Sequence, residues 1–173
     1  DPLWSRGLGD VYKRQMFDSD NSQLEYLSSG LVPVNNGKRS SIKYPMMRFP
    51  WRKTEEVLNK LSFSTNENIV SVDYVNPENG QSVLPTMGFT GIKMKKGTVI
   101  NNSILSISSA FNIIKGKGKT KINDEVINWK SKDTFTAPVF SKIEHFIEED
   151  AYLIHIHDKP LQEKLGYYEE RSL

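Results

Sequence analysis

The side chains of this chain best suited to chemistry are its three histidines. His155-Ile156-His157 has His-x-His spacing, and alternate residues of a strand point to one face, so both imidazoles would be presented together. His145 lies in the preceding hairpin. Neutral imidazole is a common metal ligand, so the three outline a metal or small-ligand site. A plainer reading competes with it. On that reading His155 and His157 are partly exposed or hydrogen-bonded strand residues beside a turn at Asp158, and His145 is a surface residue. The plainer reading is the expectation here, because short motifs match by chance.

Other reactive patterns fare no better. Glu144, Glu148, Glu149 and Asp150 form an acidic turn, but consecutive exposed carboxylates seldom do acid–base work. Lys115, Lys117, Lys119 and Lys121 would line one strand face with no interleaved aromatic platform for bases, which suits a solvated or edge-protecting surface. Trp129, Phe135, Phe140, Phe146 and Tyr152 are spread over several strands, as core residues are. There is no cysteine, hence no disulfide framework and no thiolate ligand or nucleophile. No nucleophile elbow, phosphate loop or dinucleotide fingerprint occurs.

The elements that must position these residues are short strands. From Asn112 to Pro138 the chain reads as strand, glycine corner at Gly116 and Gly118, strand, turn at Asn123-Asp124, strand, turn at Ser131-Lys132-Asp133, strand. Thr120 and Ile122 alternate with lysines, and Val126, Ile127 and Trp129 return as the partner strand. Further strands are expected at 69–75, 91–94, 104–111, 145–147 and 151–156. Helices are expected at Trp51–Leu61, with Thr54 as cap and Glu55 and Glu56 in the first turn, and at Leu161–Glu169 after Pro160. Such a succession of short antiparallel strands belongs to a small barrel or jelly roll.

Here the chain resembles a known family. Gly116-Lys117-Gly118, the hairpin after it, Asp133-Thr134-Phe135 and Pro138 resemble the centre of a cupin barrel. Tyr74-Val75-Asn76-Pro77-Glu78-Asn79-Gly80 leading to Leu84-Pro85-Thr86-Met87-Gly88 narrows the likeness, as does Asp158-Lys159-Pro160-Leu161-Gln162-Glu163-Lys164-Leu165-Gly166. Both are similar to the second cupin domain of gentisate 1,2-dioxygenase and of the salicylate and 1-hydroxy-2-naphthoate dioxygenases. The likeness covers residues 44–170. It implies a mainly β fold, a double-stranded β-helix or jelly-roll barrel with short flanking helices.

The resemblance also implies a function and a departure from it. Cupins that do chemistry hold iron with His-x-His, a Glu in many families, and a later His. Counting from Gly116 and Pro138, those positions fall on Ser103, Leu105, Ser109 and Ile143. None supplies the expected ligand, so this barrel is expected to carry no catalytic, cofactor or metal residues. In this family the first barrel commonly carries the Fe(II), and the parent reaction adds both atoms of O2 to a hydroxylated aromatic acid. The chain then reads as the C-terminal half of a bicupin dioxygenase, structural and inactive alone. Its expected partners are the missing N-terminal half and further copies of itself. The alternative is a free-standing monocupin binding a small ligand or metal through His145, His155 and His157.

Size and composition are consistent with either. A chain of 173 residues makes one domain and buries roughly 70% of its unfolded surface. A net charge of +2 gives no reason to expect nucleic acid, and no apolar run is long enough to span a membrane. The lack of cysteine fits the cytoplasm. Residues 1–15 have no period and resemble translated sequencing-adapter read-through, so they are set aside as a non-native leader ahead of a gene cut at its 5′ side. Residues 16–43 suit an extended linker, and 44–173 the barrel domain.

Overall fold

The structure is a computed structural model that describes Val34–Asn35, Lys38–Arg39 and residues 48–172, apart from Glu78 and Asn102. The expected leader and most of the expected linker lie outside the described residues. The chain divides into two units, Asp1–Phe49 and Pro50–Leu173. In the first, β1 (Val34–Asn35) and β2 (Lys38–Arg39) form an antiparallel pair.

The second unit is mainly β, as expected of a cupin barrel, and its architecture rests on two long strands. These are β7 (Ser109–Ile122) and β10 (Ile143–His157), which pair antiparallel along most of their length. Each takes different neighbours at its two ends. Residues 151–157 of β10 pair with β4 (Gly88–Met94), β4 pairs with β3 (Ile69–Asp73), and the start of β7 pairs with β9 (Thr134–Ala137). The other ends pair with β5 (Val99–Asn101) and β8 (Glu125–Lys130). One continuous ladder thereby folds into two layers, β3-β4-β10-β7-β9 and β5-β10-β7-β8. A small pair, β6 (Ile104–Leu105) with β11 (Glu170–Arg171), lies apart from it.

The bend falls at Gly116. The sequence leads one to expect a corner between separate strands, whereas β7 runs through it unbroken. Gly116 has φ 101°, and a Cβ there would meet Asp150 O at 2.5 Å and Ala151 Cα at 2.6 Å. Only glycine allows both the conformation and the close approach. The β7–β10 register shifts opposite it, between Ile147 and Leu153. The inward face changes parity as a result: Ser109, Phe111 and Ile113 are buried before the bend, Gly118, Thr120 and Ile122 after it. Lys115, Lys117 and Lys119 are exposed and Lys121 is half-buried, and the bend separates Lys115 from the outward row of the other three.

Between the layers sits one apolar core, which includes Met94, Phe111, Ile113, Trp129, Phe135, Ile143, Ile147 and Leu153. A smaller cluster of Leu58, Val70 and Tyr152 lies where α1 (Trp51–Thr65) packs on β3 and β4. Leu58 is fully buried, and burying a leucine contributes about 1.5–3 kcal/mol.

Both helices differ from their expected bounds. In α1 the cap is Pro50, so Thr54, Glu55 and Glu56 lie beyond the first turn, and the helix runs on to Asn66 at φ 55°. Thr54 is not a cap. It is buried and accepts a hydrogen bond from the Tyr74 hydroxyl at 3.0 Å. The second helix, α2 (Lys159–Leu165), begins before Pro160 and stops at Gly166, whose N–H bonds to Gln162 O and Glu163 O. The chain then turns back so that β11 can reach β6.

Candidate functional site

Two cavities flank the residues that the sequence singles out. The first, of about 390 Å³, lies inside the barrel. Ser103, Leu105, Ser109 and Ile143, the positions that the resemblance led one to expect as metal-ligand positions, all line it together with His145 and His155. Tertiary structure therefore gathers residues from four separate stretches onto one space. Its other walls are apolar: Ile69, Ile92, Met94, Ile100, Ile107, Phe111 and Leu153 among them. The second cavity, of about 440 Å³, holds His157 with Asp73, Thr90, Lys159 and Glu163. Leu105, Ile107, His155, Lys159 and Tyr168 line both.

His145 is not a surface residue. It is 3% exposed, on the inward row Ile143, His145, Ile147 of β10. Its Nδ1 lies 2.8 Å from Thr120 Oγ1, which also accepts from Trp129 Nε1–H at 2.8 Å. Thr120 is fully buried, and the described residues offer its hydroxyl proton no acceptor except His145 Nδ1. The neutral imidazole therefore keeps its own proton on Nε2. Burial lowers the His145 pKa to about 4. The inward alternation Ile-x-His-x-Ile was the signal for this burial. Thr120 and Trp129 carried no site signal in the sequence at all.

His155 and His157 both lie on β10, and His157 Nδ1 is buried without a hydrogen-bond partner among the described residues. The His155 ring stacks on Phe111 with centroids 4.6 Å apart, and its Nε2 lies 2.9 Å from Ser109 Oγ. Burial, helped by His157 and His145, lowers its pKa to about 3. The His157 ring lies against Gly88, with Nε2 3.5 Å from Thr90 Oγ1, whose hydroxyl is held by Asp73 Oδ1 at 2.6 Å. Burial is also the main cause that lowers the His157 pKa. The two rings are 4.9 Å apart and inclined at 49°.

These donors do not fit an iron site. Two of the four expected ligand positions are aliphatic and two are serines, while one nitrogen each of His145 and His155 is taken by Thr120 and Ser109. Among the described residues no group of three or more His, Cys, Asp or Glu side chains is placed to hold a metal.

A polar clasp closes one end of the barrel. The Ser106 hydroxyl donates to Gln162 Oε1 at 2.6 Å and accepts from Glu169 N–H at 2.8 Å, while Gln162 Nε2 donates to Ser106 O at 2.8 Å. Asp158 Oδ1 accepts from Ser108 N–H at 2.9 Å. This ties α2 and β11 to β6 and places Tyr168 and Glu170 on the cavity wall.

Comparison with known proteins bears on the fold and the family. No family model matches the chain. Gentisate 1,2 dioxygenase 1 of Aquipseudomonas alcaligenes is 28% identical over 174 aligned residues, covering 98% of this chain and 49% of that protein. The 5-aminosalicylate 1,2-dioxygenase of a Comamonas species is 29% identical over 136 residues, 75% of this chain and 36% of the relative. The chain is a cupin homologue of the gentisate-type 1,2-dioxygenases.

Structure supports the fold of this gentisate-type homologue independently. The crystal structure of a salicylate 1,2-dioxygenase from Pseudaminobacter salicylatoxidans superposes with a TM-score of 0.70 at 21% identity, over 76% of this chain and 40% of that one. The cupin homologue thus spans about half the length of the first relative and less of the others. No helix among its described residues is long and apolar enough to cross a membrane.

Proposed function

We propose that this chain is the C-terminal, metal-free cupin half of a gentisate-type Fe(II) ring-cleaving dioxygenase. Its role is to pack against an iron-bearing N-terminal half and to help build the oligomer. One observation carries the reading: Ser103, Leu105, Ser109 and Ile143 converge on the barrel interior, where a catalytic cupin needs imidazoles and a carboxylate. Holding a substrate and O2 together requires ligands that fix a metal and leave open positions, and hydroxyls and alkyl groups do not do so. The relatives' greater length supports a second half. Their names supply the substrate class of the whole enzyme, an aromatic acid, and the lack of cysteine supports a cytoplasmic setting.

Oxygen uptake tests this directly. The chain alone, with gentisate and added Fe(II), should consume oxygen no faster than an iron-only blank, and should bind far less than one iron per chain. Turnover above the blank would place the active site in this half. The rival, a free-standing cupin with a metal held by all three histidines, draws little support from the geometry. His157 opens onto the second cavity, whereas His145 lines the first.

A further inference from the structure

The end of the barrel is covered by a strap that adds little to the core. Residues 159–172 follow β10 after Asp158, run through α2, turn at Gly166 and carry β11. Of these only Pro160 and Gln162 are buried, and Gln162 is polar. Leu165 is 62% exposed and Tyr167 50%. Neither apolar cluster of the described residues includes any of them.

What holds the strap down is polar and local. Its ladder to the rest of the barrel is the two-residue pairing of β11 with β6. Ser106 N–H donates to Glu169 O at 3.0 Å, beside the clasp of Ser106 with Gln162. The Arg171 guanidinium lies 4.8 Å above the Phe140 ring. Hydrogen bonds of this kind are exchanged for bonds to water when a segment lifts, so their net contribution is small. A segment with few buried apolar contacts opens well before a domain unfolds. Asp158 marks the hinge, because its Oδ1 accepts Ser108 N–H at 2.9 Å and ties it to the body of the barrel.

Lifting the strap has a defined consequence. Its Lys159 and Tyr168 line both cavities, together with Leu105, Ile107 and His155. The strap thus supplies part of the wall that the barrel interior shares with the second cavity, and Ser106 and Ile107 are buried beside it. The long β7–β10 ladder contains none of these contacts and stays paired.

We infer that residues 159–172 are a lid, hinged at Asp158, whose local opening joins the barrel interior to the second cavity while the barrel stays folded. This goes beyond the proposed role of the chain, and does not depend on iron or on turnover.

Amide hydrogen exchange of the full chain, followed by NMR at a series of low urea concentrations, tests the lid. The acceptor of Ser106 N–H belongs to the strap, whereas Ile113 N–H bonds to Asp133 O inside the barrel. Ser106 should be at least about tenfold less protected than Ile113, and its exchange should depend less on urea, since that dependence scales with the surface exposed. The chain has no cysteine, so one introduced thiol gives a second readout. Dithiobisnitrobenzoate should label Ile107→Cys more slowly than the exposed control Ser64→Cys, and at least about fivefold faster once Gln162→Leu breaks the clasp. Equal protection and equal urea dependence at Ser106 and Ile113 would overturn the inference. So would labelling of Ile107→Cys that matches Ser64→Cys or ignores Gln162→Leu. The exchange measurement needs no variant, and decides the matter even where Ile107→Cys folds poorly.

Discussion

Thr120 Oγ1 stands 2.8 Å from His145 Nδ1, on a strand facing β10 across the barrel ladder, and Thr120 is fully buried. The same oxygen receives the indole N–H of Trp129. One hydroxyl thus satisfies a buried donor and a buried acceptor, and fixes the imidazole tautomer that the cavity meets.

Thr120→Val should therefore be costly despite keeping the side-chain shape. It orphans both His145 Nδ1 and Trp129 Nε1, at about 1–3 kcal/mol for each group. Thr120→Ser keeps the hydroxyl and should cost about 1 kcal/mol, for one buried methyl. Urea denaturation of the three proteins measures the difference. Equal loss in both variants would show that packing, not the hydroxyl, matters at this position.

Acid should destabilise the barrel through its histidines. Their folded pKa values, about 4 for His145 and about 3 for His155, lie below the unfolded value of about 6.5. Between those values the unfolded chain binds more protons than the folded one, so stability rises with pH there. The contribution is fully present above about pH 6.5 and is lost as the pH falls, by up to about 1.4 kcal/mol per pH unit for each histidine. Urea midpoints between about pH 7 and about pH 4.5 should fall steeply, and His155→Asn should flatten the curve. A wild-type midpoint independent of pH in that window would contradict the burial described for these rings.

Two glycines with positive φ should respond differently to alanine. Gly97 has φ 78° and open space where a Cβ would go, so Gly97→Ala should cost about 1 kcal/mol. Gly116→Ala adds a collision with the Asp150–Ala151 backbone to its strained φ, and should cost about 3 kcal/mol or more. Thermal denaturation of the pair checks the ordering. Similar losses would mean that the two long strands can separate at the bend without penalty.

Gln162→Leu should loosen the end of the barrel without unfolding it. The substitution leaves Ser106 without its side-chain partner and should cost about 1–3 kcal/mol. Faster hydrogen exchange is expected at residues 167–171, and little change at Ile113 or Leu153 in the core. Uniformly faster exchange would instead make the clasp part of the global folding unit.

The sequence by itself determined what local chemistry determines. Alternating Ile, Val and Thr produced strands, and Asn123, at φ 53°, turns β7 into β8 where Asn-Asp stands. Separated motifs were enough to indicate a cupin of the gentisate type. Tertiary structure decided which side chains meet. A strand residue is buried by what packs over its face, and that depends on partners distant in the chain. The bend at Gly116 switches the inward row of β7, which puts Thr120 under Trp129 and His145. Thr54 looked like a cap because Ser and Thr often are, but α1 starts earlier and Thr54 packs on the sheet instead. His145 looked like a surface residue because the positions expected to hold iron beside it carry no ligand. Its burial follows from the pairing of β10 with β5 and β7, which closes the barrel around it.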